Sequence, residues 1–343
     1  MIVYWVIFLG AVMLALARLR ISSLGWALIG AALAAFVGLR YQVGADWGTY
    51  LGYLVRVTDL SLYQALELKD PGYQALNWVS AWFGLEVWFV NLVSAVVFIY
   101  GLIRFIRLLP DPRIALAISL PYMIIVMGMG YTRQAIAFGF VLWGLTYLVQ
   151  RRLLAFVMVL AIGATFHKSA VILVPLAVLS GTRNRTWSML WVGATGLVLF
   201  MLLLQEHVDA LYQQYVVSDY SAAAQGGPIR VLMNAVPAAA FIWLRNRFDM
   251  NSEERALWFW VSVLCFACLP LLLVSATAVD RVALYLMPIQ LVVASYLPEF
   301  FSRKDRVFPR IGVLGLYGAV MFVWLNYAGH SHAWLPYQFW PTA

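Results

Sequence analysis

Charge is what this chain has least of. Only 11% of its 343 residues are Asp, Glu, Lys or Arg, while 64% are hydrophobic and the mean hydropathy is +0.84. About a quarter of a soluble domain is charged, so the composition excludes a soluble fold. Cysteine is nearly absent too. Cys265 and Cys268 form a CxxC, but inside the apolar run ALWFWVSVLCFACLPLLLV, where they read as small core residues and not as a redox or metal pair. There is no DxD and no GxSxG, and Glu206-His207-x-Asp209 reads as a solvated helix end. No metal and no cofactor are expected. The net charge of +8 fits basic cytoplasmic loops and does not point to nucleic acid. The opening MIVYWVIFLGAVMLALA has no basic leader and no small-residue cleavage site, so it reads as a retained first helix.

What is abundant is apolar sequence. Runs fall at 2–17, 21–39, 87–109, 114–131, 134–149, 153–180, 187–205, 229–244, 256–279, 282–298 and 311–328. A span needs roughly 20 apolar residues. The expected fold is therefore all-α: a polytopic integral membrane protein of about 11–12 transmembrane helices, one transmembrane domain over 1–343. Six basic clusters, from Arg18/Arg20 to Arg303/Lys304/Arg306/Arg310, hold 16 of the 23 basic residues. Placed in the cytoplasm, they alternate consistently with both termini outside. Residues 153–180 carry a basic cluster on each side and Phe166-His167-Lys168-Ser169 in the middle, which predicts a short central helical hairpin.

Two loops then face outward, 40–86 and 206–228. In the first, DPGYQALNWVSAWFGL predicts an amphipathic helix, with Asp70 as N-cap, Pro71 at its first position, and Tyr73, Leu76, Trp78 and Trp82 toward the membrane. Asp280 and Arg281 read as a tight turn between two spans. Arg230 reads as part of the second loop.

The polar residues worth weighing sit on that outer side. RYQVGADWGTY, 40–50, packs a cation, a carboxylate, two glycines and three aromatics into one short stretch. Arg40, Arg133 and Arg281 each adjoin the end of an apolar run, and Lys168 sits at the hairpin tip. Two readings stand side by side. Arginines near helix ends snorkel toward headgroups, or the group binds a phosphate-bearing ligand, since a desolvated cation grips an anion strongly. Arg133 and Gln134 open a helix, where free N–H groups favour an anion. Asp46 is open to three roles: general base, electrostatic support, or a structural partner for Arg40. His167 is the other candidate for proton chemistry.

In order along the chain, Val43-Gly44-Ala45-Asp46-Trp47 with Tyr50, Asp70-Pro71-Gly72-Tyr73, Arg133-Gln134-Ala135-Ile136-Ala137, Phe166-His167-Lys168-Ser169-Ala170, Asp280-Arg281 with Tyr285, and Trp334-Leu335-Pro336-Tyr337 resemble the EpsG-type family of Wzy polymerases. The resemblance implies a glycosyltransferase of the bacterial plasma (inner) membrane. It would polymerise undecaprenyl-diphosphate-linked oligosaccharide repeat units into exopolysaccharide or O-antigen at the outer face, without metal. Asp46 and His167 would be its catalytic residues. Arg40, Arg133, Lys168 and Arg281 would hold diphosphate, and Trp47, Tyr50, Tyr73 and Gln134 would line the sugar. Lipid-linked glycans and membrane lipid are the implied ligands, with a chain-length regulator and a flippase as protein partners. A flippase for the same lipid is the competing reading, but it should carry pathway residues in both leaflets and an internal repeat. An acyltransferase is the third, kept open by His167.

Overall fold

A computed structural model of the chain describes residues 1–17, 19–174, 176, 227–273 and 276–342. They are helical almost throughout, as a lipid-embedded chain must be, because only a helix or a closed barrel satisfies every backbone group in hydrocarbon. Among the described residues, six helices are long and apolar enough to cross a membrane: Val87–Ile106, Pro112–Gly130, Gly227–Arg247, Ser252–Leu271, Val279–Phe300 and Val307–Tyr327. Ile2–Ala17, Ser23–Gly38 and Leu153–Phe166 are shorter apolar helices. The chain is thus an all-α, multi-pass membrane protein. The apolar run 187–205 and loop residues 206–226 lie outside the described residues.

The chain divides into two compact units. The first comprises Met1–Trp143, Ile162–His167 and Leu297–Ala343. Its helices are α1 (Ile2–Ala17), α2 (Ser23–Gly38), α3 (Trp47–Val57), α4 (Leu62–Glu67), α5 (Pro71–Trp82), α6 (Val87–Ile106) and α7 (Pro112–Ser119). The span begun by α7 continues through a π-helical stretch, Leu120–Met127, to Gly130, buried along nearly its whole length. Then come α8 (Thr132–Val149), shared with the second unit, and the end of α9 (Leu153–Phe166). Small residues let α6 sit close to its neighbours. A Cβ at Gly101 would meet the backbone of Gly139, and one at Gly38 would meet that of Leu92.

Asp111 fixes one end of this unit. It caps α7 through Arg113 N (3.3 Å), pairs with the Arg113 guanidinium (3.1 Å) and pairs with Arg310 (2.6 Å). Arg310 also donates to Ala15 O, and Arg113 to Leu19 O. Members of two predicted cytoplasmic clusters, Arg113 and Arg310, therefore meet around one buried carboxylate and reach the backbone at the end of α1. At the opposite end, residues 331–342 fold back over the start of α1 and the end of α2.

The second unit comprises Gly144–Ala161 and Lys168–Tyr296. Its main helices are α10 (Gly227–Leu244), α11 (Ser252–Leu271), α12 (Ala276–Leu286) and α13 (Pro288–Tyr296). Asn251 and Glu254 form a reciprocal capping box at the start of α11. Arg151, just before α9, pairs with Glu253 at 2.9 Å and joins two more basic clusters at one end.

Some expectations change here. Asp280 and Arg281 do not make a turn. They lie within α12, and the chain turns earlier, at Leu272–Leu273. Arg230 lies in α10, not in a loop. The helix over 71–82 forms as expected and Trp82 is exposed, but Tyr73 does not face the membrane: it is buried together with Gln74, Asn77 and Ser80. In apolar surroundings the polar face finds its hydrogen bonds inside: Gln74 to Lys69 O, Asn77 to Tyr73 O, and Ser80 to Leu85 O and Glu86 O. Residues 153–180 do break at the centre. Helix α9 ends at Phe166, and a 3-10 turn follows over Lys168–Leu173. A second hairpin arm would fall outside the described residues.

Candidate active site

The site is assembled where α2 stops. Arg40 folds back on the helix it follows, donating from Nη1 to Val37 O at 2.6 Å and from Nε to Val43 O at 3.0 Å. A cation suits the negative end of a helix, and its donors satisfy carbonyls the helix leaves over. Its Nη2 donates to Thr132 Oγ1 at 2.7 Å and to Asn91 Oδ1 at 3.3 Å. Thr132 Oγ1 in turn donates to Asn91. One guanidinium thus ties α2, α6 and the first residue of α8 together. Arg40 is 1% exposed, and all four acceptors are neutral. Burial brings its pKa down to about 10, so it stays protonated at neutral pH.

Residues 41–46 lie against the span that ends at Gly130. Gly44 has φ +109°, and a Cβ there would run into Met129 O. Its N–H donates to Ala333 O at 2.8 Å. Tyr41 N donates to Gln338 O, and Trp340 N to Leu39 O. The Trp334 indole lies on Gly130 and donates to Ile125 O, in the π-helical stretch, at 3.0 Å. The two separated motifs VGADW and WLPY therefore lie in one place. They hold the turn that leads into Arg133.

Arg133 is the second residue of α8. Its Nη1 donates to Asp70 Oδ2 at 2.7 Å, with the arginine side chain 22% exposed and the aspartate 2%. Its guanidinium lies over the Tyr53 ring, 4.6 Å from the centroid. Asp70 has a left-handed backbone, φ 61°, and does not cap α5 with its side chain as expected. The carboxylate turns to Arg133 instead. Asp tolerates that conformation better than most residues. Pro71 then sets the first helical φ, and Gly72 packs so closely on Thr165 that no Cβ would fit.

Below the ion pair lies an aromatic floor. Tyr50, Tyr53 and Tyr73 have centroids 6.0 to 6.4 Å apart, and Trp47 and Phe166 pack on the same cluster. Tyr73 is wholly buried rather than membrane-facing, and its hydroxyl has no hydrogen-bond partner among the described residues. Burial raises its pKa well above the ordinary value, so it stays a neutral phenol. Phe166 brings the end of α9, and with it half-buried His167, to the border of this cluster. Asp46, half-buried at the start of α3, makes no capping bond and is not Arg40's partner. Gln134 is buried beside Arg133 in sequence.

The second unit holds a polar group of its own. Arg230 pairs with Asp280 at 2.8 Å, both nearly buried. Asn234 donates to Ala283 O and accepts from Gln290. Ser169 donates to the Tyr285 hydroxyl at 3.4 Å. Lys168 and Arg281 are half-buried within this unit.

Sequence reasoning did not find Asn91, Thr132 or the Asp70 pairing. The signal available was slight: an amide inside the apolar run 87–109, and an aspartate already explained as a helix cap. The described residues thus join a helix-start arginine, a buried carboxylate and a cluster of tyrosines in tilted and edge-on contact. That set can steady an anion beside a polar ring system. A family model described as the EpsG family matches residues 24–339. No curated protein and no solved structure matches the chain.

Proposed function

This chain belongs to the EpsG family, which includes Wzy-type polymerases, and we propose that it polymerises lipid-diphosphate-linked oligosaccharide repeat units at the outer face of the bacterial plasma membrane. The observation that carries the reading is Arg133. It stands at a helix start, it is held by a buried carboxylate, and its side chain is 22% exposed.

In the proposed reaction, an acceptor sugar hydroxyl bonds to the anomeric carbon of the donor glycan. The bond from that carbon to the diphosphate breaks, and its electron pair leaves with the lipid diphosphate. Arg133 and the positive N-terminal end of the α8 dipole stabilise the departing charge. Asp70 holds Arg133 through one of its guanidinium nitrogens. The acceptor proton passes to Asp46, with His167 the group to act if Asp46 does not. Trp47 and Tyr53 offer ring faces to the sugars. Tyr50, Tyr73 and Gln134 are buried and would act on the sugar only through those neighbours. Lys168 and Arg281, which belong to the second unit, are proposed as diphosphate-binding cations of that unit.

The test uses purified protein and lipid-diphosphate repeat units with no energy source. Longer chains with release of free lipid diphosphate are expected. Movement of the lipid between leaflets without chain growth would replace this reading with a flippase.

A further inference from the structure

We propose that Arg40 is a positioning residue for Arg133 and does not itself contact the diphosphate. The inference rests on the polymerase reading for its catalytic consequences, but its structural content stands apart from it.

Four observations carry it. Arg40 is 1% exposed, whereas the Arg133 side chain is 22% exposed, so only the second presents its charge outward. The Arg40 donors are already engaged by Val37, Val43, Asn91 and Thr132, and an anion would have to displace them. Thr132 is the residue before Arg133, and it opens α8. The same Thr132 hydroxyl donates to Asn91, so the helix start is fixed to α6 as well.

The contrast with the other tethered arginines sharpens the point. Arg113, Arg133, Arg230 and Arg310 each pair with an aspartate. Arg40 instead uses neutral acceptors from three chain segments, which is the work of a fork-shaped donor set rather than of a point charge. A lysine would keep the charge but could not span those acceptors. Misplacing a transition-state contact by about 1 Å costs on the order of 100-fold in rate. A loosened α8 start is therefore enough to impair Arg133.

The experiment compares Arg40→Lys, Thr132→Val and Thr132→Ser in the purified full chain. Val removes the hydroxyl with little change of shape, while Ser keeps it. Amide exchange over residues 131–137 is read first, because it needs no turnover. It should rise by about tenfold or more in Thr132→Val and in Arg40→Lys, and be largely restored in Thr132→Ser. Unchanged exchange in Thr132→Val overturns the proposal whatever the enzyme assay gives. Polymerisation is read second. Thr132→Val and Arg40→Lys should lower kcat by about 10- to 100-fold with little change in KM. Either change added to Arg133→Lys should cost little more than Arg133→Lys alone. A raised KM with kcat kept in Arg40→Lys, or full additivity with Arg133→Lys, would show direct anion contact and overturn the proposal. If wild-type protein forms no polymer and binds no farnesyl diphosphate, the polymerase reading fails, and the exchange result still decides the role of Arg40.

Discussion

Removing the two halves of the Arg133–Asp70 pair should have unequal effects. The atoms are 2.7 Å apart, but the aspartate side chain is 2% exposed and the arginine 22%. Arg133→Ala strands a carboxylate that water hardly reaches. Breaking a buried ion pair from that side costs about 3–5 kcal/mol. Asp70→Asn leaves an arginine that water reaches, and an amide that still accepts a hydrogen bond. Losing a charged hydrogen bond in that setting costs about 1–3 kcal/mol. Asn is the right replacement because it also tolerates φ 61°. Ala would add backbone strain of about 1–2 kcal/mol and confuse the comparison. The double variant, Arg133→Ala with Asp70→Asn, should be more stable than Arg133→Ala alone, since no stranded carboxylate remains. Denaturant unfolding of the purified chain in detergent, followed by tryptophan fluorescence, measures all four proteins. A double variant less stable than Arg133→Ala would refute the reasoning and separate the two residues energetically.

Asp46→Asn should reduce turnover by about 10²–10⁴-fold with prenyl diphosphate binding retained; near-normal chain lengths would leave His167 as the base. Gly44→Ala meets both the +109° backbone and Met129 O. It should loosen residues 39–47, seen as faster proteolysis there, and an unaltered cleavage pattern would contradict the packing. Asp111→Asn removes the charge shared by Arg113 and Arg310 and should cost about 3–5 kcal/mol of stability. Its chain growth per folded molecule should match the wild type, because Asp111 lies at the other end of the first unit.

Periodicity and hydropathy revealed the spans and the start of α5, because Asp-Pro-Gly before an amphipathic run is a local signal. The break at His167 was legible for the same reason: a histidine and a lysine interrupt an otherwise apolar stretch. Partners were not legible. Arg40 meets residues 51 and 92 positions away, and nothing local marks which polar group in an apolar run will face it. Asp280-Arg281 misled in a specific way. Two charges suggested a turn, but Arg230 neutralises Asp280 inside the helix, so the chain has no need to leave it. The facing of α5 was legible at Trp82 but not at Tyr73, which packs against Tyr50 and Tyr53 from distant turns of the chain. Asp46 lay in the most conspicuous motif, yet the carboxylate that holds Arg133 came from the plainer Asp70-Pro71-Gly72-Tyr73.

The contacts between residues 39–44 and residues 333–340 also set an order of assembly. Tyr4 donates to Trp334 O and Tyr337 to Phe36 O, across 330 and 301 positions of sequence. At the usual pace of translation, roughly 15–60 s separate the synthesis of Arg40 from that of Phe339. Through that interval the first helices can insert, but the turn around Gly44 and Gly130 lacks the strand-like pairing and the indole that brace it. Activity should therefore emerge only when the ribosome has completed the chain through residue 340. A partly made protein in the membrane would be inert in the proposed reaction, a safeguard that follows from connectivity alone.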